Sequence, residues 1–288
     1  MRAVWSLWTL PYRLRNRWPW RTSRQHSLSW ILSVEAARPH FGETALYTDD
    51  EGAALLIDGL GIPFDYVSTA LNELDDQDPD WWMLGKLHTY RLQREPFVHM
   101  DSDVYLWKPL PQRLLTAPVL AQSPDHTRWL PWYDAEFCES TIRSQGDGWI
   151  PIEWCWYRAT AATQQAACCG IVGGNDLDFL QRYASTVIGI LESPRNRSAF
   201  GRLSDKKTYN PFFEQYLLCA CAAFHGVRIE YLFESADAPF FPGRAAELGY
   251  THLIAGAKSD PEIAGRLEQR IARDFPARYE RCTALVDR

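Results

Sequence analysis

Short apolar segments alternate with amphipathic segments in the first third of the chain, and this alternation restricts the fold more than any other feature. The apolar segments predict strands at 3–7, 44–48, 64–67 and 96–100. The amphipathic segments predict helices at 27–37, 51–58 and 81–93. Strands joined to helices by short connections form mainly parallel sheets with helices on both faces. The sequence therefore predicts an α/β protein with such a sheet.

Capping residues predict where several helices begin. Asp49 and Asp80 precede the helices at 51–58 and 81–93, where a side-chain oxygen can accept from free backbone N–H groups. In the second half, Asn210 and Asp260 are each followed by a proline, which has no N–H to leave unsatisfied at the first helical position. These two positions predict helices at 210–224 and after 260.

The rest of the second half is less regular. Strands are predicted at 118–122, 169–174, 229–233 and 251–254, with a helix at 176–191. The segment 193–208 is polar and basic, and we expect a mobile loop that closes over a bound anion; a permanently solvated connector is the alternative. The segment 125–163, with five tryptophans, fits no helix or strand pattern.

The predicted fourth strand runs directly into Asp101-Ser102-Asp103. Ligands of open α/β sheets bind outside the carboxyl ends of the strands, so this turn lies where a ligand is expected. Two carboxylates two residues apart offer the hard oxygen ligands that Mg²⁺ or Mn²⁺ prefers. The alternative is an ordinary acidic turn that only caps a helix or reverses the chain.

Composition excludes several classes of partner. The 288 residues carry a net charge of −6, which does not favour nucleic acid. No apolar run approaches the roughly 20 residues of a membrane span. At the N-terminus an apolar segment precedes the arginines, the reverse of a secretory signal, so a cytoplasmic location is expected. The seven cysteines include no CxxC pair, which argues against a structural zinc site.

A resemblance to a known family rests on four segments in order. PFVHMDSDVYL (96–106) resembles the D-x-D segment of glycosyltransferases with the GT-A fold, in particular the retaining glycogenin-like group. The segments 167–174, Glu214-Gln215 and 251–258 resemble that group's N-x-G strand, acidic-Gln pair and H-x-x-G-x-x-K element. The resemblance implies a GT-A-like, Rossmann-type α/β fold in one catalytic domain, 1–288. Residues 1–122 would be its nucleotide-sugar half, and 123–288 would hold the acceptor side and the C-terminal metal and phosphate element.

The same resemblance implies a function. The chain would move a hexose from a UDP-sugar to an unidentified acceptor (a glycan, a peptide or a small molecule), with retention. Mn²⁺ or Mg²⁺ would be held by Asp101, Asp103 and His252. The catalytic pair would be Glu214 and Gln215, next to the transferred sugar. The donor would be bound by Trp5, Lys86, Asp101, Ser102, Gly173, Gly174, Gly256 and Lys258.

Other interpretations of the same residues stay open. Trp5 also suits a core strand, Gly173-Gly174 a tight turn, and Lys258 a solvated surface. Two other classes of function are open as well. One is a non-catalytic protein that binds sugars or nucleotides. The other is a metal-dependent nucleotidyl- or phosphotransferase, because D-x-D also serves phosphoryl chemistry.

Overall fold

The structure, a computed structural model, describes residues 1–14, 19–127, 131–144, 146 and 148–286. The strands of this part of the chain are β1 (Arg2–Leu7), β2 (Thr44–Thr48), β3 (Tyr66–Ser68), β4 (Phe97–Met100), β5 (Val104–Leu106), β6 (Val119–Asp125), β7 (Ala166–Gly174), β8 (Ile229–Tyr231) and β9 (Tyr250–His252).

The α-helices are α1 (Leu10–Arg13), α2 (Ser23–Ala37), α3 (Asp50–Ala53), α4 (Leu84–Leu92), α5 (Gln112–Leu115), α6 (Ala135–Arg143), α7 (Ile152–Thr160), α8 (Leu177–Glu192), α9 (Pro194–Phe200), α10 (Leu217–His225), α11 (Pro242–Leu248), α12 (Pro261–Asp274) and α13 (Pro276–Val286). A π-helical segment continues α3 (Ala54–Gly59), and another leads into α10 (Phe212–Tyr216). No helix of the described residues is both long and apolar enough to cross a bilayer.

The chain divides into two compact units. The terminal unit comprises Met1–Pro79, His99–Leu110 and Pro239–Arg288. The central unit comprises Asp80–Val98 and Pro111–Ala238. Each unit therefore takes residues from both predicted halves of the chain. The assignment of the whole chain to one catalytic domain stays a prediction.

The terminal unit is built around β1, β2 and β3. β1 pairs with β2 and β2 with β3, both in parallel, so that Trp5 lies opposite Leu46 and Ala45 opposite Tyr66. The end of β4 continues this order beyond β1. Every residue of β2 is buried, because apolar side chains or hydrogen-bonded threonines fill it. A separate antiparallel pair, β5 with β9, packs against α2 through β5.

The central unit has the strand order β4, β7, β6, β8. β6 pairs antiparallel with β7 and parallel with β8. Its core is strongly aromatic. Trp81 and Trp154 make edge-to-face contacts with phenylalanines, among them Phe213, which both rings touch at centroid distances of 5.3 and 6.3 Å. Part of the tryptophan surplus therefore fills this core.

The pairings confirm the predicted α/β class with a mainly parallel sheet. β1–β2, β2–β3 and β6–β8 are parallel, and β6–β7 is antiparallel. The predicted caps Asp49 and Asp260 are also confirmed. The Asp49 carboxylate accepts from Gly52 N at 2.8 Å, and that of Asp260 accepts from Glu262 N at 2.8 Å.

One predicted helix start, at Trp81, is wrong. The helix predicted from Asn210 does begin there, but the predicted cap is wrong. Asn210 does not cap its own helix. Its side chain accepts from Met83 N at 3.1 Å and donates to the Asp80 carbonyl at 2.9 Å. Asn210 thus hydrogen-bonds to the backbone just before α4, which begins at Leu84 and not at Trp81. A contact between residues far apart in sequence has replaced the local cap.

The segment 193–208 is not a simple loop. It contains α9 and a 3₁₀ turn, Lys206–Tyr209. Asn196 is fully buried, accepts from Trp149 N at 2.7 Å, and donates to the carbonyls of Trp149 and Ile190 at 2.8 and 2.9 Å. One buried amide within a basic segment therefore fixes the helix. The unassigned segment 125–163 forms α6 and α7, and its Trp129 lies outside the described residues.

Candidate metal centre

Strand pairing in the terminal unit brings the acidic turn and His252 together. Asp103 directly precedes β5, and His252 ends β9, where it lies opposite Val104. Leu253 N also donates to the Asp103 carbonyl at 3.0 Å. One ligand atom each from Asp101, Asp103 and His252 lies within 4.8 Å of the other two. The three side chains could therefore hold one metal ion.

Lys258 completes the charge arrangement. Its Nζ lies 2.5 Å from Asp103 Oδ2, and His252 Nε2 lies 3.5 Å from Asp103 Oδ1. Burial raises the pKa of the Asp103 carboxyl, but the charge of Lys258 and then that of His252 outweigh this, and the pKa falls well below its usual range. Asp103 is therefore ionised, which is the form that binds a cation.

The donor set fits a hard or borderline divalent ion. Carboxylate oxygens suit Mg²⁺ and Mn²⁺, and an imidazole nitrogen shifts the preference toward Mn²⁺ and the later transition metals. Asp101 is half-buried, whereas Asp103 is only 4% exposed. The cluster thus has a buried side, held by Asp103, and an accessible side at Asp101 where a ligand could enter.

Serines of α2 hold the backbone of the acidic turn. Ser33 Oγ donates to the Asp101 carbonyl at 3.2 Å, and Ser29 Oγ donates to the Ser102 carbonyl at 2.7 Å. The two serines are four residues apart and so lie on one face of the helix. Sequence reasoning missed them, although their spacing on a predicted helix was a usable signal.

Two buried histidines also support the centre and were missed. His99 lies two residues before Asp101 on β4; its Nε2 is 2.9 Å from Ser6 Oγ, and its Nδ1 is 3.9 Å from Asp101 Oδ1. His26 Nε2 accepts from the Trp30 indole N–H at 3.2 Å. Burial, and next the charge of Lys258, lowers the pKa of His26 to about 3. His26 is therefore neutral and adds no charge beside the centre.

Comparison with known proteins gives one family. Residues 1–285 match the model of the family described as "Family of unknown function (DUF6734)". The chain belongs to this family. No curated protein sequence matches it. Because the description of the DUF6734 family states no activity, the function has to be argued from the site.

Trp5 of this DUF6734 member lies in the core of the terminal unit. It is fully buried, its indole N–H donates to Ser33 Oγ at 2.9 Å, and its ring meets Phe64 edge to face. A ring that stacks on a donor base needs an accessible face. The structure thus corrects the stacking role predicted for Trp5, because packing in the core covers both faces of its ring.

Close backbone contacts within the central unit explain Gly173 and Gly174. A Cβ at Gly173 would clash with the Phe97 carbonyl, and one at Gly174 with the Pro118 carbonyl. Gly174 also has a φ of +143°, which L side chains rarely adopt. Neighbouring backbone therefore fills the space beside Gly173 and Gly174, where a sugar was expected to lie. Gly256 differs, because it lies in an open 3₁₀ turn with Lys258, Ala255–Ser259.

Lys86 and Glu214 pair with each other inside the central unit. Lys86 Nζ lies 2.7 Å from Glu214 Oε1 and 3.4 Å from the Cys169 carbonyl. The Tyr90 hydroxyl donates to Glu214 at 3.0 Å, and Glu214 is fully buried. Lys86 therefore already has an anionic partner in Glu214, whereas the resemblance implied that Lys86 binds the donor. Gln215 is half-buried, and its side-chain oxygen hydrogen-bonds to the Tyr133 hydroxyl.

Proposed function

We propose that the chain is a metal-dependent glycosyltransferase that moves a hexose from a UDP-sugar to an acceptor, with retention. The observation that carries the proposal is the convergence of Asp101, Asp103 and His252, with Lys258 in contact with Asp103. Two carboxylates and an imidazole can hold a metal ion. Together with the ammonium group, that ion would neutralise the negative charge of a diphosphate leaving group. The D-x-D resemblance supplies the specific reaction.

Mn²⁺ or Mg²⁺ would be held by Asp101, Asp103 and His252. When bound, such an ion neutralises the charge that grows on the diphosphate as the glycosidic bond breaks. Lys258 supplies a positive charge from the chain itself. Its side chain is 23% exposed, so it can turn from Asp103 to a phosphate oxygen without unfolding the turn that carries it. Ser102 and Gly256 belong to the two turns around this centre.

For Glu214 and Gln215, which lie in the central unit, the resemblance implies a role at the transferred sugar. Gln215 is the better candidate for contact with the transferred sugar, because it is half-buried and its amide can both donate and accept. Glu214 is enclosed and acts on its neighbours. It neutralises Lys86 and accepts from Tyr90, which keeps both side chains in place.

Calorimetry of UDP binding tests the proposal directly. UDP should bind more tightly with Mn²⁺ than with EDTA, and at 100 times its dissociation constant it should stabilise the fold by about 2.7 kcal/mol. Asp58→Asn, a change at an exposed acid of the terminal unit, is the matched control and should leave binding unchanged. Equal UDP affinity with and without metal would overturn the proposal.

Product analysis separates the remaining classes of function. Incubation with a panel of UDP-sugars and Mn²⁺ should release UDP, which marks glycosyl transfer or donor hydrolysis. Release of a sugar 1-phosphate would instead indicate nucleotidyl transfer, because transfer of the uridylyl group breaks the bond between the two phosphates. Tight, metal-dependent binding with no product from any donor would indicate a binding protein.

A further inference from the structure

The central unit contains an open cavity of about 260 Å³ beside the end of β6. Its lining includes polar side chains, namely Asp125, Glu234, Gln164, Gln165 and Thr163. None of its lining residues belongs to the Asp101–Asp103–His252 cluster. The cavity is therefore a separate feature, and its chemistry differs from that of the metal centre.

Asp125 is a fixed hydrogen-bonding group in this cavity. The Tyr133 hydroxyl lies 2.9 Å from Asp125 Oδ2, and His126 N donates to Asp125 Oδ1 at 2.8 Å. The Tyr133 hydroxyl also hydrogen-bonds to Gln215. Each carboxylate oxygen has two lone pairs, so both keep capacity for a ligand donor. Burial raises the pKa of Asp125. The Asp125 carboxylate is thus held in place, and its oxygens can still accept hydrogen bonds from a ligand.

Gln164 supplies an oriented donor on the same cavity. Its side-chain oxygen accepts from the Tyr216 hydroxyl at 2.6 Å, and its backbone carbonyl accepts from the Thr127 hydroxyl at 2.8 Å. With the oxygen held, the orientation of the amide is set. Among the residues that the structure describes, its N–H groups have no hydrogen-bond partner. A ligand that both donates and accepts hydrogen bonds would suit the side of the cavity formed by Asp125 and Gln164.

The lining argues against anionic and metallic ligands. Asp125 and Glu234 would repel a phosphate or a carboxylate that entered. Within the described residues, the His, Cys, Asp and Glu side chains that converge closely enough for a metal are those of the terminal-unit cluster. The volume lies below the range of about 300–1,000 Å³ typical of pockets for larger ligands. These limits leave a small, neutral, polar ligand.

We propose that this cavity binds a neutral, hydroxyl-rich ligand of about one sugar ring. A sugar hydroxyl can donate to Asp125 and accept from the Gln164 amide at the same time. The binding site does not depend on the metal centre. Its use as an acceptor site, in contrast, rests on the proposed transferase function.

Saturation-transfer NMR with neutral methyl glycosides tests the site. The probes are the methyl glycosides of glucose, galactose, mannose and N-acetylglucosamine, each added to the full chain with EDTA. At least one should bind. Asp125→Asn should weaken that binding on the order of 10-fold, because a charge-assisted hydrogen bond is lost. Glu136→Gln, a change at an exposed acid of the same unit, should leave it unchanged.

A second variant keeps the test decisive if Asp125→Asn does not fold. Thr163 is exposed and makes no hydrogen bond within the described residues, so Thr163→Trp fills the cavity without removing a contact. It should abolish glycoside binding and leave the melting temperature unchanged. Binding that survives Thr163→Trp would overturn the proposal, as would glucose 6-phosphate binding as tightly as methyl glucoside, or no glycoside binding at all.

The metal centre gives an independent comparison. Asp103→Asn should remove metal-dependent UDP binding and leave glycoside binding intact. Loss of UDP binding alone therefore concerns the proposed function, and loss of glycoside binding alone concerns the cavity.

Discussion

Lys258 Nζ lies 2.5 Å from Asp103 Oδ2, so a cation of the chain already neutralises a carboxylate that a metal ion would use. A divalent ion that binds Asp103 has to share that carboxylate with Lys258. A phosphate group at the same place would attract Lys258 away from Asp103. The pair therefore couples metal binding to anion binding.

Lys258→Met separates these two effects. Without the competing ammonium group, Mn²⁺ alone should bind on the order of 10-fold more tightly, whereas UDP in the presence of Mn²⁺ should bind more weakly. Calorimetric titration of each ligand measures both. Lys207→Met, at an exposed lysine of the central unit, is the control. A change of the same sign for both ligands would contradict the coupling.

Asp103→Asn removes one charge from the metal centre and keeps the side-chain volume. The rate of glycosyl transfer should fall on the order of 10²-fold or more, because the centre would then neutralise less of the negative charge on the leaving group. The far-ultraviolet circular dichroism spectrum should be unchanged. A variant that fails to fold would instead assign Asp103 a structural role, holding β5 and β9 together through Lys258 and His252.

The Lys86–Glu214 pair predicts non-additive effects on stability. Lys86→Met and Glu214→Gln should each lower the free energy of unfolding by about 3–5 kcal/mol, because each leaves a buried charge without its partner. The double variant contains neither charge and keeps an acceptor for Tyr90. Its loss should be much smaller than the sum of the single losses. Urea unfolding of the four proteins gives the coupling energy, and additive losses would show that the two charges do not interact.

Asn196 predicts how α9 responds to protease. Asn196→Ala removes a buried amide with three backbone partners and should lower the free energy of unfolding by about 2 kcal/mol or more. Trypsin should then cleave faster at Arg195 and Arg197. Ser204→Ala, at an exposed position of the same segment, should cleave at the original rate. Equal rates for all three proteins would show that Asn196 does not fix this helix.

His88 predicts a loss of stability in mild acid. Burial, and next the charge of Arg91, lowers the pKa of His88 from 6.5 to about 4, and Glu192 Oε1 lies 3.6 Å from its Nε2. A proton then binds the unfolded chain more tightly than the folded one. The stability that His88 contributes is fully present above about pH 6.5 and falls as the pH decreases toward 4.

His88→Gln should therefore reduce the fall in melting temperature between pH 7.5 and pH 5. After allowance for partial solvent exposure, the reduction should be about 2–4 °C. His126→Gln changes a histidine whose side chain is 60% exposed and should leave the fall unchanged. An unchanged fall in His88→Gln would mean that His88 does not contribute to the pH dependence.

Local sequence signals were sufficient where a structure depends on near neighbours. β2 has the predicted bounds, Thr44–Thr48, because its five consecutive residues are apolar or β-branched and fully buried. The Asp49 cap involves a partner three residues away. The position of Asp101 and Asp103 followed from the strand before them. His252 came from the family resemblance, since its partner strand lies far away in sequence.

Local sequence signals did not predict contacts between residues that are far apart in the sequence. Nothing local to Lys86 indicates that Glu214 will neutralise it, and nothing local to Asn210 indicates that Met83 needs its side chain. Trp5 was open to two interpretations, a core residue and a ligand-stacking residue, because an aromatic strand residue has the same local pattern in both cases. Only the packed structure, in which Ser33 and Phe64 cover it, distinguishes the two.

The pairing of Val104 with His252 has a consequence for synthesis of the chain. The two residues are about 150 positions apart, so the acidic turn leaves the ribosome long before β9 exists. Until then, Asp103 has neither Lys258 nor His252 to offset its charge, and β5 has an unpaired edge. A chain interrupted anywhere before residue 250 would therefore lack the centre completely and expose a strand edge to aggregation. Translation of residues 250–258 therefore decides whether the ion-binding cluster forms at all.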